Sequence, residues 1–114
     1  MIKINGVELP TPSKYAIGIQ DLSQAERNVR GNMIIERIAT KRKIELTWNT
    51  ITQENLSLVF QSVSDVFFTV EYIDPEKGDH NTGTFYSGDR KAGVMDIRNG
   101  VVRWKDAKFN LIER

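Results

Sequence analysis

Cysteine is absent from this chain of 114 residues, which removes disulfides and thiolate chemistry from consideration. Histidine occurs once, as His80, so no Ser-His-Asp constellation has particular support. No apolar run approaches the length of a membrane-crossing helix. The opening MIKINGVELPTP has one lysine and no continuous apolar segment, so it does not read as a signal peptide, and a soluble protein made in the cytoplasm is expected. A charge of one sign is missing too. The formal net charge is +1, with two excess positive charges over residues 1–57 and one excess negative charge over 58–114. A strong nucleic-acid binder normally shows a one-signed face or a more basic total. Glycines fall singly at turns, and no phosphate-binding glycine motif is present. One domain spanning 1–114 is the expectation, since a chain of this size buries roughly two-thirds of its unfolded surface without staples.

What is present is mostly strand. Ile2 and Ile4, then Asn5-Gly6, then Val7 and Leu9 read as a small hairpin, with Pro10 and Pro12 ending its second arm. Arms this short need support, so the hairpin over 1–12 lies on the main body or against a neighbour. Tyr15, Ile17 and Ile19 predict a strand from about Lys14 to Gln20. Asp21 to Gly31 is polar. It reads as a loop or, through Ser23 and Glu26, as a single capped helical turn. Functionally it is either a solvated connection or a surface arm that orders against a partner, carrying Arg27 and Arg30.

A long strand candidate follows. Ile34, Ile38, Ile44, Leu46 and Trp48 share one parity, which Thr40 and Arg42 interrupt. Either a bulge shifts the phase near Thr40, or Ala39 to Lys43 forms a turn or protruding tip between two shorter strands. One long or bent strand is favoured, because Gly, Pro, Asn and Asp are all missing between residues 33 and 48. Thr52 then caps a helix over about 52–63, whose face is Leu56, Val59, Phe60 and Val63. With Ile44, Leu46 and Trp48 these residues form the expected core. Glu36, Arg37, Lys41, Arg42 and Lys43 form the expected outward part and, with Arg27 and Arg30, the candidate interface.

Val66 to Ile73 predicts another strand, and DPEKGDHNTG from Asp74 to Gly83 a loop. Thr84 to Ser87 is a brief strand. Asn99-Gly100 marks a hairpin turn. The parity of Val102, Trp104, Phe109 and Leu111 changes across Asp106-Ala107, which predicts a kink in the closing strand. The fold class is α+β: an antiparallel β-sandwich or partly open β-barrel with one short amphipathic helix.

Chemistry is sparse. His80 has Asp79 and Asp74 nearby, but the spacing fits no zinc pattern and no calcium loop. A solvated loop histidine is the plainer reading. Glu71 and Asp74 are too ordinary a pair to argue for acid–base work without a pocket. No enzyme activity, cofactor or metal is expected. Lys41, Arg42 and Lys43 with Arg37 make a basic cluster, and Trp48, Phe85 and Tyr86 are aromatics able to stack on bases. Glu36 and Glu45 flank that cluster, which equally suits a solvated or intersubunit face.

The opening MIKINGVELPTP, KRKIELTW leading into TQENL, and FYSGDR followed by RNGVVRW resemble small tail-region proteins of bacteriophages and prophages of Gram-positive hosts. The strand–helix–strand layout resembles the tail-tube and baseplate-hub (distal tail) fold. That resemblance implies a structural, non-enzymatic role in a tail or baseplate and a place in the virion tail. It implies assembly with other tail proteins and with copies of itself, as in a hexameric ring, without a membrane or sequence-specific nucleic acid. Extensions that cross to neighbours would be Ile2 to Leu9, Asp21 to Asn32, Ala39 to Lys43 and Asp74 to Gly83. The chain is shorter than typical major tube proteins, so a baseplate or accessory component fits better than the main tube subunit. A head–tail connector or tail-completion protein is the alternative, and a nucleic-acid-binding β-barrel a further one.

Overall fold

The computed structural model describes the backbone of residues 1–27 and 33–114 and the side chains of 1–20 and 40–114. Strands β1 (Lys3–Ile4) and β2 (Val7–Glu8) form the N-terminal hairpin, followed by β3 (Lys14–Arg27) and β4 (Met33–Thr52). Helix α1 (Gln53–Ser62) separates these from β5 (Phe68–Asp74), β6 (Asp79–Ser87), β7 (Lys91–Arg98) and β8 (Val101–Glu113). All eight strands belong to one antiparallel sheet of order β2-β1-β5-β6-β8-β4-β3, with β7 also paired to β8. The sheet does not close into a barrel. The fold is α+β, mostly antiparallel β with one short helix.

Strand β8 is the hinge of the arrangement. One of its edges carries β4, from Lys43↔Ile112 to Thr52↔Arg103. The other carries β7 along Val101–Lys108 and then β6 at Phe85↔Glu113 to Ser87↔Leu111. The sheet therefore has a β3-β4-β8-β7 half and a β2-β1-β5-β6 half. Their inner faces bury Ile2, Ile4, Val70, Tyr72 and Phe85 from one half with Ile44, Leu46, Trp48, Phe109 and Leu111 from the other. Tyr72 meets Phe85 edge to face at 5.3 Å between centroids.

The N-terminal hairpin turns at Asn5 (φ 50°) and Gly6 (φ 81°), as Asn-Gly requires in a two-residue turn. It is supported within its own chain: Lys3 and Ile4 pair with Glu71 and Val70, and Asn5 donates to the Thr69 carbonyl at 2.8 Å. Thr52 caps α1, its hydroxyl accepting from the Asn55 amide at 3.3 Å. Leu56, Val59 and Val63 are buried, whereas Phe60 is only partly so, meeting Phe109 edge to face at 6.2 Å. Trp48 stacks on Phe109 at 5.7 Å and donates its indole N–H to the Pro10 carbonyl at 3.1 Å. It thereby fastens the segment after the hairpin to the core. Trp104 reaches the helix from β8, donating to Gln53 Oε1 at 2.6 Å.

Three sequence expectations change, and a fourth is settled in favour of its preferred form. Asp21 to Arg27 is not a loop or helical turn but the outer part of β3, paired from Asp21↔Thr40 to Arg27↔Met33. Its backbone groups find their partners in β4, so extension needs no apolar face. The favoured single long strand is what forms, with Ala39 to Lys43 in the middle of β4 and not at a tip; the register slips between Leu22 and Ser23 so that Ile38, two residues from Thr40, is the unmatched residue. The loop expected over Asp74 to Gly83 shrinks to residues 75–78, because Asp79 to Gly83 continue β6 opposite Val70 to Asp74. The strand expected from Val66 starts at Phe68, leaving Val66 exposed ahead of it. By contrast the kink in β8 falls where parity placed it, with Asp106 at φ 52°.

Candidate functional site

Beyond Lys43 no residue of β4 pairs with β8, and beyond Gly18 the partners of β3 are this same outer part of β4. The outer stretches Ile19–Arg27 and Met33–Arg42 are thus a two-stranded ribbon joined to the body at its base. Nine residues of strand extend about 30 Å, and the whole molecule measures 73 × 25 × 25 Å. A two-stranded ribbon alone is marginally stable in water, so its anchorage matters.

The anchor is a buried charge cluster. Arg42 shares parity with the core residues of β4 and turns inward, not outward as expected from its charge. Its Nε lies 2.9 Å from Oδ2 of Asp74, which is fully buried. The contact is an ion pair and not an aligned hydrogen bond. Asp74 also accepts from Asn81 Nδ2 at 3.0 Å and from the Glu76 amide at 3.0 Å. Burial pushes its carboxyl upward, but Asn81, the Glu76 amide, Arg42 and the Lys77 amide together outweigh burial and hold it below the usual carboxylate range. Nearby, Tyr15 of β3 donates to the Ile73 carbonyl at 2.7 Å, and burial raises its phenol to about 12. The Arg42 amide donates to Glu113 at 3.0 Å, and the Lys41 amine reaches the Arg114 carbonyl. The ribbon's base is therefore tied to both β5 and the end of β8.

Of the candidate interface residues, Lys43 is exposed, Lys41 half-buried and Arg42 committed to Asp74. Glu36, Arg37 and Arg27 lie on the ribbon with side chains outside the described residues, and Arg30 lies outside them altogether. His80 is exposed at the start of β6, its Nδ1 3.2 Å from Asp79 Oδ1. Among the described residues no group of three His, Asp or Glu side chains is arranged to hold a metal ion. No described helix is long and apolar enough to cross a membrane.

Two surfaces escaped sequence reasoning. The first is the outer edge of β7, which pairs only with β8. It exposes Val94, Met95 and Ile97, with Val101 just beyond the turn. The signal was three apolar residues between Arg90 and Asn99-Gly100, which lack the alternation of a half-buried strand. Within this hairpin Asp96 is held by Arg103, whose Nε donates at 2.7 Å, and the guanidinium lowers the carboxyl below its usual range. The second is an aromatic patch where Phe67 and Tyr86 meet edge to face at 6.2 Å beside exposed Val66. The Arg114 guanidinium sits 4.5 Å above the Phe67 ring.

These features are edges and surfaces suited to contact. Strand β3 bounds one margin of the β3-β4-β8-β7 half and β7 the other, and among the described residues no further strand pairs with either margin. No curated protein and no solved structure matches the chain. The model of one family, described as "Family of unknown function (DUF6711)", matches residues 1–114, and the chain belongs to that family.

Proposed function

We propose that this protein is a non-enzymatic structural component of a phage or prophage tail or baseplate, acting by joining copies of itself and other tail proteins. The observation that carries the reading is the pair of unpaired edges, β3 and β7, on opposite margins of one four-stranded half-sheet. An exposed edge with apolar side chains is a template for pairing with another chain. Edges on opposite margins favour a head-to-tail contact, β7 of one copy against β3 of the next. Such a contact closes into a ring when the rotation allows. The ribbon reaches beyond its own body and supplies a second contact to a neighbour. The resemblance in layout to tail-tube and baseplate-hub proteins supports the same reading.

Sedimentation at high concentration and negative-stain microscopy test self-association. The wild type is expected to sediment above the monomer, and Val94→Lys with Ile97→Lys to remain monomeric while keeping the wild-type circular dichroism spectrum, with a lower melting temperature only by what assembly adds. Labelled electron microscopy of virions is expected to place the protein at the tail or its distal end. A label at the head–tail junction would assign it to a connector instead. A chain that stays monomeric and is absent from purified particles overturns the proposal.

A further inference from the structure

The face of the β3-β4-β8-β7 half that points away from the core carries one row of matched residues. Lys14 of β3 stands opposite Thr47 of β4, Thr47 opposite Lys108 of β8, and Lys108 opposite Lys91 of β7. With strands about 4.8 Å apart, three steps span about 14 Å. Lys14, Thr47, Lys91 and Lys108 line a single groove of about 410 Å³, in which Asp106 is the one carboxylate. Lys105 runs alongside, its stem lying over Gly93, where an added Cβ would sit 3.6 Å from its Cγ. Lys14, Lys91, Lys105 and Lys108 are exposed, and none has an ion-pair partner among the described residues. Glu45 and Asp89 line the adjoining groove with Lys91 and Lys108 and offset part of the charge.

Lys91 and Lys108 face each other directly across two strands, an arrangement that destabilises a sheet unless an anion lies between. The row holds lysines and no arginine. Lysine meets an anion as a point charge of no fixed geometry, whereas arginine's planar fork fixes a bidentate geometry on carboxylate and phosphate alike, so a lysine row suits contact with a repeated charge more than recognition of one oriented group. A peptide partner would also be expected at the sheet edges, where backbone hydrogen bonds are free, and not on a face. We propose that this face binds the phosphate backbone of nucleic acid without reading its sequence. Base-edge readout needs groove-fitting donors and acceptors, and a flat lysine row supplies charge only.

The proposal does not depend on ring formation. Fluorescence anisotropy with labelled random-sequence duplex DNA and the full chain tests it. Three neutralised phosphates predict affinity falling about 40-fold between about 50 and about 200 mM salt. Lys14→Gln, Lys91→Gln and Lys108→Gln combined should abolish that binding, while the Lys→Arg triple keeps it and Lys3→Gln with Lys77→Gln, on the other half-sheet, changes nothing. Far-ultraviolet circular dichroism checks that each variant is folded. Absence of binding at low salt, or a salt slope unchanged in the Gln triple, overturns the proposal. So does binding of poly-glutamate in preference to DNA, which would assign the face to an acidic protein. Sedimentation of the same samples separates the two readings: a monomer that binds DNA fails only the assembly reading, and a ring that does not bind fails only this one.

Discussion

Removing Arg42 should show how the ribbon is held. In Arg42→Met the aliphatic stem remains, but the fully buried Asp74 loses the cation 2.9 Å away. Breaking a buried ion pair from one side costs about 3–5 kcal/mol, because the remaining charge stays out of water uncompensated. Two features place this site at the low end. Arg42 keeps 16% of its side chain exposed, so the pair is not wholly desolvated. Asp74 also retains its bonds from Asn81 and the Glu76 amide. A loss of about 3 kcal/mol is expected, or roughly 12 °C in melting temperature for a chain of this size.

Asp74→Asn alone should cost about 2–3 kcal/mol by stranding the guanidinium. The double variant should lose only about 1 kcal/mol, since neither charge is left behind. Urea unfolding at pH 7, followed by tryptophan emission at one fixed protein concentration, measures all four corners of the cycle; fixing the concentration matters because assembly adds to apparent stability. The pH dependence has a definite sign. The Asp74 carboxyl is depressed in the folded state, so its contribution is fully present above its unfolded value of about 4 and disappears as pH falls through the lower folded value. The gap between wild type and Arg42→Met should therefore narrow below about pH 4. Single-variant losses that simply add, with a coupling under about 0.5 kcal/mol, would refute the anchoring argument.

Three further outcomes are expected. Trp48→Ala removes both the stack on Phe109 and the bond to Pro10, and thermal melts should register a loss of about 3–5 kcal/mol. Thr52→Ala deletes the hydroxyl that accepts from the Asn55 amide; about 1 kcal/mol in denaturant unfolding is the expected cost. Gly100 has φ 76° and open space for 4 Å around the point where a Cβ would stand, so Gly100→Ala should lose about 1 kcal/mol from backbone strain alone, and Gly100→Asn less, by the same melt.

Sequence alone revealed the elements whose hydrogen bonds and burial are set locally. Asn5-Gly6 and Asn99-Gly100 dictate their turns by requiring positive φ, and the three-and-four spacing after Thr52 dictates α1. The parity change around Asp106 exposed the kink in β8. Asp21 to Arg27 stayed hidden because its sequence is polar and shows no alternation, and what extends it is backbone pairing with β4, a partner that register supplies and local sequence does not. Arg42 was a different failure. Its parity with Ile44 and Leu46 pointed inward, but charge argued outward, and only the folding of β5 over β4 supplies the acid that reconciles the two. The lysine row was hidden for a similar reason: Lys14, Lys91 and Lys108 are separate in sequence, and strand register alone makes them neighbours.

The two proposed surfaces constrain each other geometrically. The β1, β2, β5 and β6 strands fill the core side of the β3-β4-β8-β7 half, and α1 packs on β4 and β8. If copies join margin to margin, that bulk has room only on the outside of the curve. The opposite face, with Lys14, Lys108 and Lys91, would then turn toward the axis. Each copy would present the same row at the same height, so a ring would surround a polyanion with a band of point charges. Phosphate contacts of this kind are sequence-independent and allow a strand to slide. Asp106, Glu45 and Asp89 beside the row would weaken each contact, and a weak hold is what a passage for DNA requires. Replacing those three acids by their amides should therefore tighten DNA binding and steepen its dependence on salt, whereas acids irrelevant to the face would leave both unchanged.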